Sequence, residues 1–192
     1  MGRQLPERIE GVPVFWYEEI SSTMDVAAGL QTQSETGIVV ADRQRAGRGR
    51  YGRRWVSPHG GLYLSWFFPS GERFCPHLLE IGSISVVRSL TGAGCPGCRI
   101  KFPNDIICGG RKIAGLLIQR CGNRTILGAG VNLNSASTEI GPWAVSCYEV
   151  SGKMVQREVF LASLIRAFKE CAGRCLGGDD ACLKTWAELL LP

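Results

Sequence analysis

The stretch GIVVADRQRAGRGRYGRRW (residues 37–55) holds the transition around which this chain is organised. Residues 37–42 are almost continuously apolar, which is typical of a buried strand. Residues 43–54, called the basic loop below, contain six arginines and three glycines, too much glycine for a regular element. The sequence therefore predicts a buried strand that runs directly into a strongly basic loop.

Strands and helices are predicted on both sides of this stretch. Ser21, Ser22 and Thr23 are good N-cap residues for a short helix, and Asp179 and Asp180 suit the positive end of the last helix. Apolar periodicity predicts strands at 14–20, 62–68, 99–102, 112–119 and 125–133, and helices at 24–30, 76–90, 158–172 and 179–191. This order indicates helices and strands mixed around one sheet.

Length and composition limit the class of protein. A chain of 192 residues with 45% hydrophobic and 20% charged residues is expected to form one globular domain. Because it shows no bilayer-spanning apolar run and no secretory signal, a cytoplasmic protein is predicted. The net charge of +5 is concentrated in the basic loop, which points to a local anion rather than to a membrane or a DNA duplex.

Nine cysteines are an unusual feature of the composition. An odd count without a secretory signal argues against a disulfide scaffold, so we expect reduced thiols that serve as small apolar residues. Cys95 and Cys98 form a single CxxC pair. A zinc site would need further ligands, and His59 and His77 are isolated in the sequence.

In the basic loop, Gly47, Gly49 and Gly52 alternate with arginines. Glycine lets the backbone approach a ligand closely, and guanidinium groups pair well with phosphate or carboxylate. Trp55 could cover a flat ring or anchor the loop. The spacing is neither that of a P-loop nor that of a dinucleotide-binding turn. Taken alone, the loop fits an anion site, a solvated basic surface or a nucleic-acid contact.

Three later segments combine polar groups with small residues. The first, KFPND (residues 101–105), offers a lysine for phosphate and a carboxylate for Mg²⁺, although an ordinary turn has the same composition. In the second, Lys112 enters an apolar strand, where it must reach solvent or face an anion, and Gly115 leaves space beside that strand. In the third, GAGVNLN (residues 128–134), alternating small residues indicate close packing against a ligand or a helix.

Together and in this order, these segments resemble the catalytic domain of biotin–protein ligases. The family pattern is Ser-Thr-Asn, then Q-x-x-G-R-G-R-x-G-R-x-W, K-W-P-N-D, K-x-x-G and G-x-G-x-N. The matching residues are 22–23, 44–55, 101–105, 112–115 and 128–132, and the resemblance extends over about residues 14–190. Each segment is weak alone, but the ordered set is highly specific.

The resemblance implies an α+β fold with a mixed, largely antiparallel sheet backed by helices, similar to class II aminoacyl-tRNA synthetases. It implies that biotin reacts with ATP, with Mg²⁺, to give biotinyl-5′-AMP, and that biotin then passes to a lysine of a biotin carboxyl carrier protein. No N-terminal helix-turn-helix and no C-terminal SH3-like domain is predicted. Residues 1–192 are therefore expected to form one catalytic domain without a repressor role, and a homodimer is left open.

The resemblance also implies roles for individual residues. Lys112, Arg48 and Arg50 would be the catalytic cations, and Asp105 a candidate ligand for Mg²⁺. Biotin would be bound by Ser22, Thr23, Gln44, Gly47, Arg48, Gly49, Lys112 and Gly115. The nucleotide would be bound by Arg50, Arg53, Trp55, Lys101, Asn104, Asp105 and Asn132.

Three residues depart from the family pattern. Met24 replaces the usual Asn and removes one polar contact to biotin, Phe102 replaces the usual Trp, and Gln119 stands where many members carry Glu. A lipoate or octanoate ligase would have the same fold, although its usual Arg-Arg and triple-glycine signature is absent. Two hypotheses of a different class stay open: a non-catalytic protein that binds biotin or its adenylate, and a nucleic-acid-binding protein.

Overall fold

The structure is a computed structural model that describes residues 7–32, 35–73, 75–177 and 181–192. Within these ranges the strands are β1 (Glu7–Ile9), β2 (Val12–Ile20), β3 (Gly37–Gln44), β4 (Leu62–Pro69), β5 (Arg99–Lys101), β6 (Asp105–Cys108), β7 (Arg111–Cys121) and β8 (Arg124–Val131). The helices are α1 (Thr23–Gly29), α2 (Leu78–Gly92), α3 (Ser137–Ile140), α4 (Cys147–Ser151), α5 (Arg157–Leu176) and α6 (Ala181–Leu189).

All of these strands belong to one sheet, in the order β1-β2-β3-β4-β8-β7-β6-β5. Strands β2 and β3 are parallel, and α1 forms the crossover connection that a parallel pair needs. Every other neighbouring pair is antiparallel. The prediction of a mixed, largely antiparallel sheet backed by helices is therefore confirmed.

The two faces of the sheet are covered differently. Helices α2 and α5 pack on one face, called the helix face, where large side chains form the main core. Strand β4 contributes Leu62, Leu64, Trp66 and Phe68 to this core, and α5 contributes Phe168. The Phe168 ring centroid lies 4.4 Å from that of Trp66 and 5.5 Å from that of Phe68. Since side chains alternate along a strand, the residues between these point to the other face.

The other face, called the site face, carries α1 and the basic loop. Its core is small and consists of Met24, Ala27, Val39, Phe67 and Ile126. Ser22 is the N-cap of α1, and its Oγ accepts a hydrogen bond from Met24 N at 3.3 Å. The predicted N-cap cluster is thus confirmed, and it fixes the start of α1 beside β3 and β4.

The predicted strands and helices all occur, with ends that shift by a few residues. The strand predicted at 99–102 ends at Lys101. Strands β1 and β6 and the short helices α3 and α4 were not predicted. Residues 101–105 were interpreted as one polar turn, but Asp105 already pairs with Gly115 in the sheet. The last helix is described from Ala181, so Asp179 and Asp180 lie outside the described residues.

Six cysteines are buried in the helix-face core: Cys95, Cys98, Cys108, Cys147, Cys171 and Cys182. This burial is what we expected of cysteines used as small apolar residues. Cys95 Sγ lies 2.9 Å from Cys147 Sγ, and burial raises the pKa of both thiols. Over the described ranges, no group of three or more His, Cys, Asp or Glu side chains could hold a metal ion.

None of the helices in the described part of the chain is long and apolar enough to cross a membrane.

Candidate active site

A cavity of about 350 Å³ lies on the site face of the sheet. Its walls come from α1, the basic loop, the turn between β5 and β6, and strands β7 and β8, and its volume is in the usual range for small-molecule sites. The predicted site residues that line it are Ser22, Thr23, Gln44, Arg48, Gly49, Arg50, Arg53, Trp55, Lys101, Asn104, Asp105, Lys112 and Gly115.

The charge around this cavity is strongly asymmetric. Among the described residues that line it, six are cationic and one is acidic. The cations are Arg48, Arg50, Arg53, Arg54, Lys101 and Lys112, and the acid is Asp105. A cavity of this kind favours a ligand with several negative charges.

One corner of the cavity is built from neutral polar groups. Gln44 Oε1 accepts hydrogen bonds from Thr23 N at 2.8 Å and from Thr23 Oγ1 at 3.2 Å. Gln44 Nε2 donates to Ser57 Oγ at 2.9 Å, and Ser65 Oγ donates to Thr23 Oγ1 at 2.8 Å. The network ties the end of β3 to the start of α1, so these polar groups are held in fixed positions.

The basic loop folds back on itself as a small hairpin. Gly49 N donates to Arg53 O at 2.7 Å, and Trp55 N donates to Gly47 O at 2.9 Å. Strand β3 continues through Gln44, so the irregular part of the loop begins later than predicted. A Cβ on Gly47 would lie 2.5 Å from Trp55 O, which explains why only glycine fits there.

Two arginines attach this hairpin to opposite sides of the cavity. Arg48 Nη2 lies 2.5 Å from Asp25 Oδ1 on α1. Arg50 Nη1 donates to Asn104 Oδ1 at 3.1 Å, and Asn104 Nδ2 in turn donates to Leu116 O at 2.9 Å. The loop therefore extends across the mouth of the cavity.

Trp55 packs directly against the sheet through two glycines. Gly115 and Gly130 are paired on neighbouring strands. A Cβ would lie 2.9 Å from the Trp55 ring if added to Gly115 and 2.4 Å from it if added to Gly130. Lys112 Nζ lies 5.0 Å from the centroid of this ring, within range of a cation–π contact. Gly130 was not predicted as a site residue, although the alternation of small residues at 128–134 pointed to it.

Gly128 makes room for the Met24 side chain in a similar way. A Cβ on Gly128 would lie 2.7 Å from Met24 Sδ, so the glycine makes room for a side chain of α1. Close packing at 128–134 is thus confirmed, and its partners are a helix residue and a loop residue of this chain. Met24 lines the cavity, so a thioether rather than an amide faces the cavity there.

Lys112 faces an anion, as one of the two alternatives predicted. Lys112 Nζ lies 2.7 Å from Asp105 Oδ1, and about a third of each side chain is exposed. The β6–β7 register brings the two residues together, since Asp105 pairs with Gly115 and Ile107 with Lys112. Asp105 thereby keeps the lysine ammonium directed along the cavity wall.

Gly47 and Asn132 are the predicted site residues that do not line the cavity. Asn132 is buried, and its amide donates to Lys112 O at 3.4 Å and to Val145 O at 3.3 Å. Val145 N also donates to Lys112 O, at 2.9 Å. Asn132 therefore supports the backbone of the strand that carries Lys112.

The lining residues that were not predicted as site residues are Met24, Tyr51, Arg54, Leu64, Phe102, Pro103, Leu116, Leu117, Gly128, Ala129 and Gly130. Tyr51 and Phe102 are largely exposed at the mouth, at 83% and 71% of their surface. Their positions inside the basic loop and the 101–105 segment were the available signal. Asp25 was also missed, because an acid in the first turn of a helix is usually explained by the helix dipole.

A largely antiparallel sheet with a basic, glycine-lined cavity on one face is the arrangement that the resemblance to biotin–protein ligases predicts. The chain belongs to the biotin/lipoate A/B protein ligase family, whose sequence model matches residues 16–135.

Curated relatives carry ligase names. Bifunctional ligase/repressor BirA of Escherichia coli is 33% identical over 179 residues, which is 87% of this chain and 56% of that protein. Biotin–[acetyl-CoA-carboxylase] ligase of Paracoccus denitrificans is 33% identical over 162 residues, 77% of this chain and 66% of that protein. The chain thus spans just over half the length of the ligase/repressor relatives.

Solved structures of ligases are similar to this chain. Biotin protein ligase from Aquifex aeolicus in complex with biotin and ATP has a TM-score of 0.77 and 30% identity. The match covers 84% of this chain and 70% of the Aquifex chain. Biotin protein ligase from Leishmania major in complex with biotinyl-5-AMP has a TM-score of 0.78 and 25% identity. The match covers 93% of this chain and 81% of the Leishmania chain. The predicted class II synthetase-like fold is confirmed.

Proposed function

We propose that this protein attaches biotin to a lysine of a biotin carboxyl carrier protein, through biotinyl-5′-AMP formed from biotin and ATP. The observation that carries the proposal is the excess of six cations over one carboxylate around the cavity. Biotin and ATP are both anions, and their reaction needs cations that reduce their repulsion. The similar Aquifex and Leishmania ligases, solved with biotin and ATP and with biotinyl-5-AMP, support the choice of substrates.

In the first step, a carboxylate oxygen of biotin attacks the α-phosphorus of ATP. The new oxygen–phosphorus bond replaces the bond to the β-phosphate, and pyrophosphate leaves. Lys112, Arg48 and Arg50 stabilise the charge that develops on the phosphoryl oxygens. Lys112 starts in contact with Asp105, so the substrate anion gains an ammonium group that is already positioned.

We assign the ureido ring of biotin to the neutral corner of the cavity, formed by Ser22, Thr23 and Gln44. Gly49 and Gly115 line the cavity nearby, Gly115 beside the Trp55 ring, and Gly47 does not line it but lets the loop fold back next to Gln44. The fixed hydrogen bonds of Gln44 favour this assignment, because a rigid amide distinguishes polar ring atoms better than a free one.

The nucleotide is assigned to the other side of the cavity, with Arg50, Arg53, Trp55, Lys101, Asn104 and Asp105. Trp55 offers a flat ring, and the cations face the phosphates. Asn132 acts indirectly, through the backbone of Lys112. Mg²⁺ often binds one carboxylate together with substrate phosphates, so Asp105 fits a metal that arrives with ATP and neutralises its phosphates.

In the second step, the amine of the acceptor lysine attacks the acyl carbon of biotinyl-5′-AMP. A new amide bond forms, the bond between the acyl carbon and the phosphate oxygen breaks, and AMP leaves. The acceptor is a biotin carboxyl carrier domain of a biotin-dependent carboxylase. We place the reaction in the cytoplasm, where ATP is available and buried thiols stay reduced.

The test uses the full chain with biotin, Mg·ATP and a purified biotin carboxyl carrier domain. We expect pyrophosphate release with biotin, a bound product with the mass of biotinyl-5′-AMP, and a biotinylated carrier. Lipoate and octanoate replace biotin in parallel reactions. A carrier with its acceptor lysine changed to arginine is the control, and it should support adenylation without transfer.

Three different outcomes would overturn the proposal in defined ways. Adenylation of lipoate but not biotin would identify a lipoate ligase. Biotin binding by calorimetry without pyrophosphate release would identify a non-catalytic binding protein. Steeply salt-dependent binding to a DNA duplex, without adenylation of either acid, would identify a nucleic-acid-binding protein.

A further inference from the structure

Asp25 is an acid to which the proposed chemistry gives no role. It lies in the first turn of α1, three residues after the N-cap Ser22, where an acid usually caps the helix or interacts with its dipole. Its Oδ1 instead lies 2.5 Å from Arg48 Nη2 of the basic loop. Asp25 does not line the cavity itself.

The basic loop is held at three levels. At its base, Arg45 N donates to Ile20 O at 3.0 Å and Ala46 N donates to Ser21 O at 2.8 Å. Near its tip, Arg50 contacts Asn104 across the cavity. Between base and tip, Arg48 is held to the α1 side by Asp25, so the loop is bridged to two sides of the cavity.

We propose that Asp25 is a positioning residue that holds Arg48 and the basic loop across the cavity mouth before the substrates bind. Ordering a glycine-rich loop costs conformational entropy, and a loop that is already held loses less of it when the ligand arrives. The anchor also keeps the guanidinium of Arg48 at the cavity without neutralising it, because both side chains remain about half exposed.

A carboxylate on β2, Glu19, provides a matched control. Glu19 lies 3.5 Å from Arg43 and 3.7 Å from Arg45, and its side chain is 36% exposed, against 50% for Asp25. Those arginines flank the base of the loop, where backbone hydrogen bonds already hold the chain. Removing Glu19 therefore removes a comparably exposed ion pair without freeing the middle of the loop.

The first test needs neither biotin nor ATP. The loop arginines are trypsin sites, so limited trypsin digestion of the unliganded protein reports how often the loop opens. We expect Asp25→Ala and Asp25→Asn to raise cleavage between residues 48 and 54 by about two- to fivefold, the range of an exposed ion pair. Asp25→Glu should restore protection, and Glu19→Gln should leave it unchanged.

The second test rests on the proposed function. If biotinyl-5′-AMP forms, its release from Asp25→Ala should be about two- to fivefold faster than from the wild type, and kcat for adenylation should fall by at most a similar factor because Arg48 is still present. A purely structural role at the helix start would lower the melting temperature and leave loop cleavage at the wild-type rate. That result would overturn the proposal, and so would a Glu19→Gln control that is cleaved as fast as Asp25→Ala. Absence of adenylate with increased cleavage would retain the loop anchor and reject the ligase function instead.

Discussion

The two faces of the sheet differ in the size of the side chains that the same strands present. On strand β8, Leu127 and Val131 join the helix-face core, while Gly128 and Gly130 between them face α1 and Trp55. On β4, Ser65 and Phe67 point to the site face between large helix-face residues. A shift of one residue in register would exchange the two sets, so the strands specify both the core and the cavity at once.

The comparison shows where stability and binding come from. Large rings and aliphatic side chains fill the helix face, so truncating them leaves cavities. Around the cavity, the site face presents glycines, hydroxyls and an amide, so enlarging them displaces the side chains that line the cavity. Substitutions of opposite kinds on the two faces should therefore damage different properties.

The largest effect is expected on the helix face. Phe168→Ala removes a buried ring that packs on Trp66 and Phe68, and should lower the free energy of unfolding by about 3–5 kcal/mol. Urea denaturation measures this. Val159→Ala on the same helix, where the side chain is 60% exposed, is the control and should change stability little. Similar losses in both variants would contradict the assignment of the core.

Lys112→Ala should separate function from stability on the site face. Removing a positioned charge from a transition state typically costs about 10²–10³ in rate, so pyrophosphate release should fall by this factor. The fold should persist, because the Asp105 left behind is partly exposed and stays hydrated. Lys184→Ala, on the exposed side of α6, is the control. An unchanged rate of pyrophosphate release would remove Lys112 from the mechanism.

Gly130→Ala should have an intermediate effect on both properties. The new Cβ would lie 2.4 Å from the Trp55 ring, so the indole must move at a cost of about 1–3 kcal/mol. Calorimetry should show weaker binding of ATP or biotin. Gly173→Ala on α5 has no neighbouring atom within 4 Å and should stabilise the helix by up to about 1 kcal/mol. Wild-type binding by Gly130→Ala would show that Trp55 adapts freely.

The smallest effect is expected where helix α4 begins beside the strand that carries Lys112. Burial alone would raise the pKa of Glu149, but hydrogen bonds from Ser146 and Ser137 lower it below its ordinary value. A carboxyl with a lowered pKa in the folded state stabilises the protein above its unfolded pKa, and this contribution is lost as the pH falls through the folded pKa.

Glu149→Gln should therefore cost less than about 1 kcal/mol at pH 7, and the difference from wild type should vanish at acidic pH. Thermal melts across this pH range measure it. Gln carries no charge to titrate, so a difference that persists in acid would assign the effect to geometry instead.

Much of the fold could be predicted because local pattern and tertiary structure agree. The apolar run at 37–42 became β3, and the Ser22 N-cap began α1 as expected. Strand β6 was missed because its four residues carry too little periodicity to outweigh the turn signals beside them. Strand β1 has only three residues, and because two of them are charged, they show no apolar pattern that would predict a strand.

Most of the predicted site residues line the cavity, but their geometry could not be predicted from the sequence. The contact between Lys112 and Asp105 depends on the register of two strands, which no local pattern encodes. Asn132 shares a motif with lining residues yet points to the backbone of Lys112. Asp25 was missed because its local explanation, the helix dipole, was sufficient without the tertiary contact to Arg48.

The paired glycines also have a consequence for redesign of the cavity. Since Gly115 and Gly130 already lack side chains, the sheet cannot retreat further to admit a longer acid. Space can be gained from two side chains that face these strands, the Trp55 ring against Gly130 and the flexible, unbranched thioether of Met24 against Gly128. An engineer who wants to change the length of the cavity would therefore begin with these two side chains and leave every strand untouched.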